Sequence, residues 1–457
     1  MENKIILPDA AVRTLSKKST ITVVAGKARI LSTQDPDFVR ADIGELCAPG
    51  LFPPGYKESL AETAKSVLDE GRIGYTVPDG DNKLKKLIFK YSIPDDLRDL
   101  ILEQFKDEAK NQGVDFEKHK EDTMQKHVAV THGGTGALGA SVSMFLDGRK
   151  NLVLTNQRTW QNHNLIVDMH DGMIWPVPLI DEAGKVADPD SVLKLCHPVK
   201  DRISSFLFTL INNPDGAVVT DPAEQEKLET IIRELNVPLI LDVAYHKLVF
   251  DGKQAQSFSP DILSKTVVCG TYSKTRQIPG ERLGYISCAD PRVTRYVYFY
   301  NRSHSGCPSV TSQRALIAHF LKFETAPDEI KKYKKDLLDE VEKRRNILVE
   351  EVKKELGWEM KSPGGAIYAV IPLPVELVKE FGDVDKFSID LVDRGKVSAI
   401  SGTVFEFRVP PAGNDFEIYT PAPTDPEVCY LRFCYGFTPA DRIALAVKHI
   451  KNFISSR

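Results

Sequence analysis

The 457-residue sequence predicts an α/β protein built on a mostly parallel sheet, with a second, smaller α+β unit. Two observations carry that prediction. The middle of the chain alternates short apolar runs with helix-length segments, the pattern of strands buried on both faces and joined by crossovers. After about Ser312 the alternation gives way to a long charged amphipathic stretch, then to scattered β-like runs. Composition agrees, because 42% hydrophobic and 27% charged residues suit a folded globular chain and exclude a disordered or collagen-like one.

The candidate strands are His127 to Thr131, Leu152 to Thr155, Ile203 to Ile211, Val237 to Asp242, Thr266 to Thr271 and Leu283 to Ser287. Between them lie helical segments such as Asp221 to Asn236, with its acidic first turn. The highly charged stretch from Tyr91 to Lys126 reads as a solvated helical face or an insertion. In the second unit, Asp328 to Gly357 is a long helix. It is followed by β-like runs at Ala366 to Ile371, Val397 to Ile400 and Tyr430 to Cys434, and a closing helix from about Pro439 to Ile454. Residues before about Leu60 are expected to pack with this unit.

Lys and Arg total 60 against 64 Asp and Glu, and a net charge of −4 makes no electrostatic case for nucleic acid or an anionic membrane as partner. No apolar run approaches the ~20 residues of a membrane helix, and Met1 to Pro8 lacks the apolar core of a secretory signal. The seven cysteines have no CxxC or Cys/His metal spacing. They read as reduced, mostly buried thiols, so no metal and a cytoplasmic setting are expected.

Ligands bind open parallel sheets at the carboxyl ends of strands. The first such end is His132-Gly133-Gly134-Thr135-Gly136-Ala137-Leu138, where glycines let backbone N–H groups approach an anion at a helix N-terminus. Such a turn serves tight packing about as often as phosphate binding. It is neither GxGxxG nor a nucleotide P-loop, which counts against a nucleotide-binding protein. The next ends are Asn212-Asn213-Pro214-Asp215-Gly216, an ordinary turn by itself, and Asp242-Val243-Ala244-Tyr245. A carboxylate after Val-Pro-Leu-Ile-Leu is partly desolvated and should face a positive partner, unless it is a helix cap. The last is Thr271-Tyr272-Ser273-Lys274, with Arg282 eight residues later. A lysine just past an apolar strand, among hydroxyls, is a candidate imine-forming nucleophile, although a single such lysine is more often a surface group. The run of Asn, Asp, Tyr, Lys and phosphate donors at consecutive strand ends carries the weight.

These residues resemble the fold-type I pyridoxal-phosphate enzymes, specifically the class I/II aminotransferases related to aspartate aminotransferase. The resemblance runs in order through Ala41-Asp42-Ile43-Gly44-Glu45, Gly74-Tyr75-Thr76-Val77-Pro78-Asp79-Gly80 and Gly133 to Leu138, then Thr159-Trp160-Gln161-Asn162-His163 and Asn213 to Gly216. It continues through Asp242 to Tyr245, Thr271 to Lys274 and Pro279 to Gly284, and closes with Ser362-Pro363-Gly364-Gly365 and Leu431-Arg432-Phe433. It implies a large domain over residues 61–319, with a mostly parallel seven-stranded sheet sandwiched by helices. A smaller α+β domain would form from 1–60 and 320–457.

By the same resemblance, Lys274 forms the Schiff base with pyridoxal 5′-phosphate and shuttles a proton at the substrate Cα. Asp242 pairs with the pyridine nitrogen, and Asn213 and Tyr245 bond the ring oxygen. Trp160 stacks on the ring; Gly134, Thr135, Thr271 and Arg282 hold the phosphate. Tyr75 reaches the phosphate of a neighbouring subunit, which implies a homodimer with shared active sites. Arg432 clamps the substrate α-carboxylate, where a guanidinium fork suits better than lysine, and Gly44 offers its backbone to the same group. His163 stands behind Asp242. The expected reaction moves the amino group of an L-amino acid to a 2-oxo acid. A lyase, decarboxylase, racemase or oxidase on the same scaffold is the alternative, since one cofactor drives several fates.

The chain departs from the family where Asn-Pro-Thr-Gly reads Asn213-Pro214-Asp215-Gly216 and Asp-Glu-Ala-Tyr reads Asp242-Val243-Ala244-Tyr245. Neither change touches an expected ligand. Dicarboxylate-specific relatives carry an Arg near Asn301-Arg302. Here Arg302 fits only with a one-residue gap, and a gapless match puts Asn301 there, so dicarboxylate specificity is unsupported.

Overall fold

The computed structural model describes residues 20–409 and 418–456. The expected contribution of residues 1–19 to the second unit lies outside these.

The central sheet has seven strands: β2 (Val128–His132), β3 (Leu152–Asn156), β4 (Met173–Val177), β5 (Ile203–Thr209), β6 (Leu239–Asp242), β7 (Thr266–Thr271) and β8 (Leu283–Ser287); β1 (Val39–Arg40) precedes them in another sheet. Their spatial order is β2-β8-β7-β6-β5-β3-β4. Neighbours from β7 through β4 are parallel, and only β8 runs the other way, pairing antiparallel with β2 and β7. All six expected strands are present within two residues at either end. The seventh, β4, is an edge strand, and Pro176 within it is tolerated because an edge strand has one unpaired side.

Helices cover both faces. Pro222–Leu235 shows why such segments form: Asp221 caps it by accepting from the Ala223 N–H, Pro222 pre-sets the first turn, and Asn236 ends it in the left-handed conformation. Its Leu228, Ile231, Ile232 and Leu235 recur at helical spacing and are buried, each worth about 1.5–3 kcal/mol of transfer free energy. The charged stretch after Tyr91 is more than a solvated face. Helix Asp95–Gln112 buries Leu97, Ile101 and Phe105 at four-residue spacing in the same core as β2, β3 and β5.

A second set of apolar clusters gathers around two small sheets. One pairs β1 with β10 (Val397–Ser398) in parallel; the other is antiparallel, with β12 (Tyr430–Cys434) between β9 (Tyr368–Pro372) and β11 (Ile400–Ser401). The long helix Pro327–Glu351 and the closing helix Ala440–Ser455 pack there. The expected single run Val397 to Ile400 is split between two sheets. Among the described residues no helix is long and apolar enough to cross a membrane, and no metal-binding cluster occurs. All seven cysteines are unpaired, five of them buried.

Candidate active site

The sheet delivers its chemistry to one edge. β2, β5, β6 and β7 end there, and the antiparallel β8 begins there, so their flanking residues converge although they lie far apart in sequence. At that edge a cavity of about 520 Å³ is lined by Gly134, Thr135, Trp160, Asn213, Asp242, Tyr245, Thr271, Lys274, Arg282, Gly44 and Arg432. Every expected site residue faces this one space except Tyr75. Tyr75 is 94% exposed and lies outside the cavity. Arg302 lies outside it too, while Asn301 is buried and donates to the carbonyls of Pro78 (2.8 Å) and Val130 (2.9 Å).

One end of the cavity is suited to an anion. Gly133 adopts φ +70°, and a Cβ there would sit 3.0 Å from an Arg282 Nη. Close approach of the guanidinium to the turn therefore requires glycine. A Cβ on Gly284 would stand 2.5 Å from the Gly133 carbonyl carbon, so β8 also runs hard against this turn. Thr271 donates its hydroxyl to Ser273 Oγ (3.0 Å), and helix Gly133–Phe145 begins at the same place.

Deeper in, Asp242 closes β6 opposite Thr209 of β5. Its Oδ1 accepts from the Ala244 N–H (2.9 Å), and Oδ2 lies 3.7 Å from His163 Nε2. His163 Nδ1 bonds the Thr159 hydroxyl at 2.9 Å, and its ring meets Trp160 edge-on. The expected place of His163 behind Asp242 is thus where the structure puts it. Tyr245 donates to Tyr368 Oη (3.3 Å); burial, with Tyr368 and Asp242 beside it, holds the phenol well above its usual pKa, so it stays protonated.

The other end surrounds Arg432. One Nη donates to the Asp42 carbonyl (3.0 Å), another reaches Asn213 Oδ1 (3.5 Å), and the guanidinium is sandwiched by the rings of Tyr368 (4.6 Å) and Phe405 (4.8 Å). Its Nε is buried and has no partner among the described residues. Lys274 donates its Nζ to the Gly44 carbonyl across the cavity. A Cβ on Gly44 would lie 2.8 Å from Tyr368 Oη, so the backbone stays bare there.

The Asn213 turn is braced from behind. Asp215 is fully buried and accepts from the Asn212 amide and the Ala217 N–H, both at 3.0 Å. Burial pushes its carboxyl up to about 6, against the pull of Arg158 3.9 Å away. Arg158 also pairs with Glu406, which accepts from the Tyr430 hydroxyl (3.2 Å) two residues before Arg432.

Sequence reasoning missed Tyr368, Ser273, Thr209 and the ion pair of Arg40 with Asp42 (2.7 Å), all of which line the cavity. Ser273 carried a signal, standing between two expected ligands. The others lie in or just after strands whose neighbours only the tertiary fold reveals.

The sequence model of "Aminotransferase class I and II" matches residues 69–432. An aspartate aminotransferase of Sulfurisphaera tokodaii is 25% identical over 412 residues, 89% of this chain and 91% of that protein. A probable aspartate/prephenate aminotransferase of Aquifex aeolicus is 25% identical over 399 residues, 86% and 89% of the two chains. Among solved structures, aspartate aminotransferase from Thermus thermophilus with maleate superposes with a TM-score of 0.73 at 21% identity, covering 98% of this chain and 100% of that one. Substrate-bound BacF from Bacillus subtilis gives 0.74 at 19%, covering 98% of each. These structural likenesses speak for the fold. The match over most of the chain establishes that it belongs to the aminotransferase class I and II family, within the fold-type I pyridoxal-phosphate superfamily.

Proposed function

We propose that this protein transfers the amino group of an L-amino acid to a 2-oxo acid, using pyridoxal 5′-phosphate attached through Lys274. One observation carries the reading: the Lys274 amine, the Asp242 carboxylate and the Arg432 guanidinium face one cavity that Gly134, Thr135, Thr271, Ser273 and Arg282 also line, a set of donors suited to a phosphate. The donor set fits that cofactor. A carboxylate suits a ring nitrogen, hydroxyls and a guanidinium suit a phosphate, and the buried Nε of Arg432 and Oγ1 of Thr209 lack partners among the described residues.

Bound there, the cofactor supplies an electron sink that acidifies the Cα–H of an attached amino acid. The chain's own residues do the rest. Asp242 would hold a proton on the ring nitrogen through its charge. The Tyr245 hydroxyl and Asn213 amide would hold the ring at its oxygen, and Trp160 would cover its face. Lys274 Nζ, freed once the donor's amino group has taken its place on the cofactor, would take the proton from the substrate Cα and return it one carbon away. Arg432, already oriented by Asp42 and two aromatic rings, fixes the α-carboxylate and so the angle of the Cα–H bond.

Arg432→Lys is therefore expected to lower kcat/KM for the amino donor by roughly 10²-fold or more, mainly through KM, because one compact ammonium cannot replace a charge-assisted fork. Steady-state kinetics at saturating 2-oxo acid measures it.

The decisive test is the visible spectrum of the cofactor-loaded protein, titrated with single amino acids in the absence of acceptor. A yellow band should bleach with some of them and return on adding a 2-oxo acid, which also identifies the donor class. The relatives' names make aspartate the first donor to try. A band that shifts irreversibly while product is released without acceptor would favour a lyase or oxidase instead. We further propose a cytoplasmic homodimer with shared sites, supported by the unpaired cysteines and by Tyr75 standing exposed outside its own cavity. Light scattering should then give twice the 51.0 kDa chain mass.

A further inference from the structure

Arg276 follows Lys274 by two residues, on the turn that leaves β7, and does not line the catalytic cavity. It is 6% exposed. Its Nη1 donates only to the carbonyl of adjacent Thr275 (3.2 Å), and its Nε is buried without a partner. No carboxylate pairs with it among the described residues. A buried cation left in that state is strongly unfavourable, so a counter-charge is called for.

The surroundings add positive charge and further unpaired polar atoms. Arg276 Cζ lies 5.8 Å from the centre of the Phe323 ring, and Lys334 Nζ lies 4.4 Å from the same centre. The His319 ring stands 5.6 Å from it; that histidine is fully buried, with Nδ1 on the Pro54 carbonyl (2.7 Å) and Nε2 unpartnered. The Tyr333 hydroxyl next to it is buried and unpartnered as well. His246 Nε2 is a third such atom. Burial chiefly, and then Arg276, pushes His319 down to about 3; burial again, then Lys247 and Arg276, does the same to His246. Lys334, which reaches over Phe323 from an exposed position, is lowered to about 8 by partial desolvation, then by Arg276 and Lys247, with Asp95 opposing. Asp95 is committed elsewhere, to Arg98 at 2.9 Å.

We propose that Arg276 and Lys334, backed by His319 and Tyr333 around Phe323, form a binding site for a small oxoanion, a phosphate or a carboxylate, outside the catalytic cavity. The guanidinium supplies the oriented donors, Lys334 supplies the accessible charge at the rim, and the Tyr333 hydroxyl can donate from the buried side.

The test uses the cofactor-loaded full chain in buffer free of other oxoanions, titrated with inorganic phosphate by calorimetry and followed by thermal unfolding. The wild type should bind saturably, with a Tm that rises with the logarithm of phosphate concentration. Arg276→Met should weaken binding about tenfold or more and, without phosphate, should unfold at the same or a higher temperature, because it removes an unpaired buried charge. Lys334→Ala, at an exposed position, should weaken binding by a smaller factor, and it decides the matter should Arg276→Met fail to fold. Sulfate and acetate run in parallel separate a tetrahedral anion from a carboxylate as the preferred occupant. No saturable phosphate binding by the wild type would overturn the proposal. So would phosphate binding as tight as the wild type's in both Arg276→Met and Lys334→Ala, which would put the anion elsewhere.

Discussion

Replacing Lys274 by alanine is expected to cut transamination turnover by roughly 10⁴-fold, the upper end of what a positioned acid–base group contributes, while the protein remains folded. Both halves of that expectation come from the site. Lys274 belongs to none of the apolar clusters; its Nζ spans the cavity to the Gly44 carbonyl, so its loss widens a polar space and leaves no void in the core. Among the described residues no second amine is placed to take over, since the other cations facing the cavity are Arg40, Arg282 and Arg432, and guanidinium groups do not give up a proton near neutral pH. The variant should still hold the cofactor non-covalently, through Asp242 and the phosphate cradle. Its visible band should therefore differ from that of the wild type without vanishing. Single-turnover mixing with an amino donor separates the two functions, and a small soluble amine should restore part of the lost rate. Wild-type turnover in Lys274→Ala would sink the assignment of Lys274.

How much of this could be read from residues alone depended on how local each signal was. Strands β5 to β8 are apolar runs ended by polar turns, and the rule that ligands gather at strand ends then picked out Asn213, Asp242 and Lys274. β4 escaped notice because Met173–Val177 is short and contains a proline, which only its edge position permits. The reversed direction of β8 left no trace in its composition, although it is what carries Arg282 to the same edge as Lys274. Tyr368 sits in a run that looked like any half-buried strand. Only the pairing of β9 with β12 makes it the partner of Tyr245 and the platform for Arg432. The charged helix Asp95–Gln112 misled for the opposite reason: a stripe of Leu97, Ile101 and Phe105 is narrow enough to be hidden by the charges on the exposed faces.

Asp242→Asn should lower kcat by roughly 10²–10³-fold, the scale of removing one pre-organised electrostatic contact, with a much smaller change in KM. The substitution preserves volume, and one amide oxygen can still accept the Ala244 N–H bond that holds Asp242 now. What changes lies on the other side. Oδ2, 3.7 Å from His163 Nε2, becomes an NH2 group, so a charged acceptor turns into a neutral donor. A His163 ring that accepts from Thr159 at Nδ1 carries its own proton on Nε2, facing that new donor, and the two would repel. The asparagine is then left without the charge that keeps a ring nitrogen protonated and with the wrong polarity to accept from it. Substrate binding, set by Arg432 at the opposite end of the cavity, should be nearly untouched. His163→Leu leaves the carboxylate in place and should therefore cost far less than Asp242→Asn. Comparable losses in the two variants, or a loss in Asp242→Asn expressed mainly in KM, would show that Asp242 supports the pocket's shape and does not act through its charge.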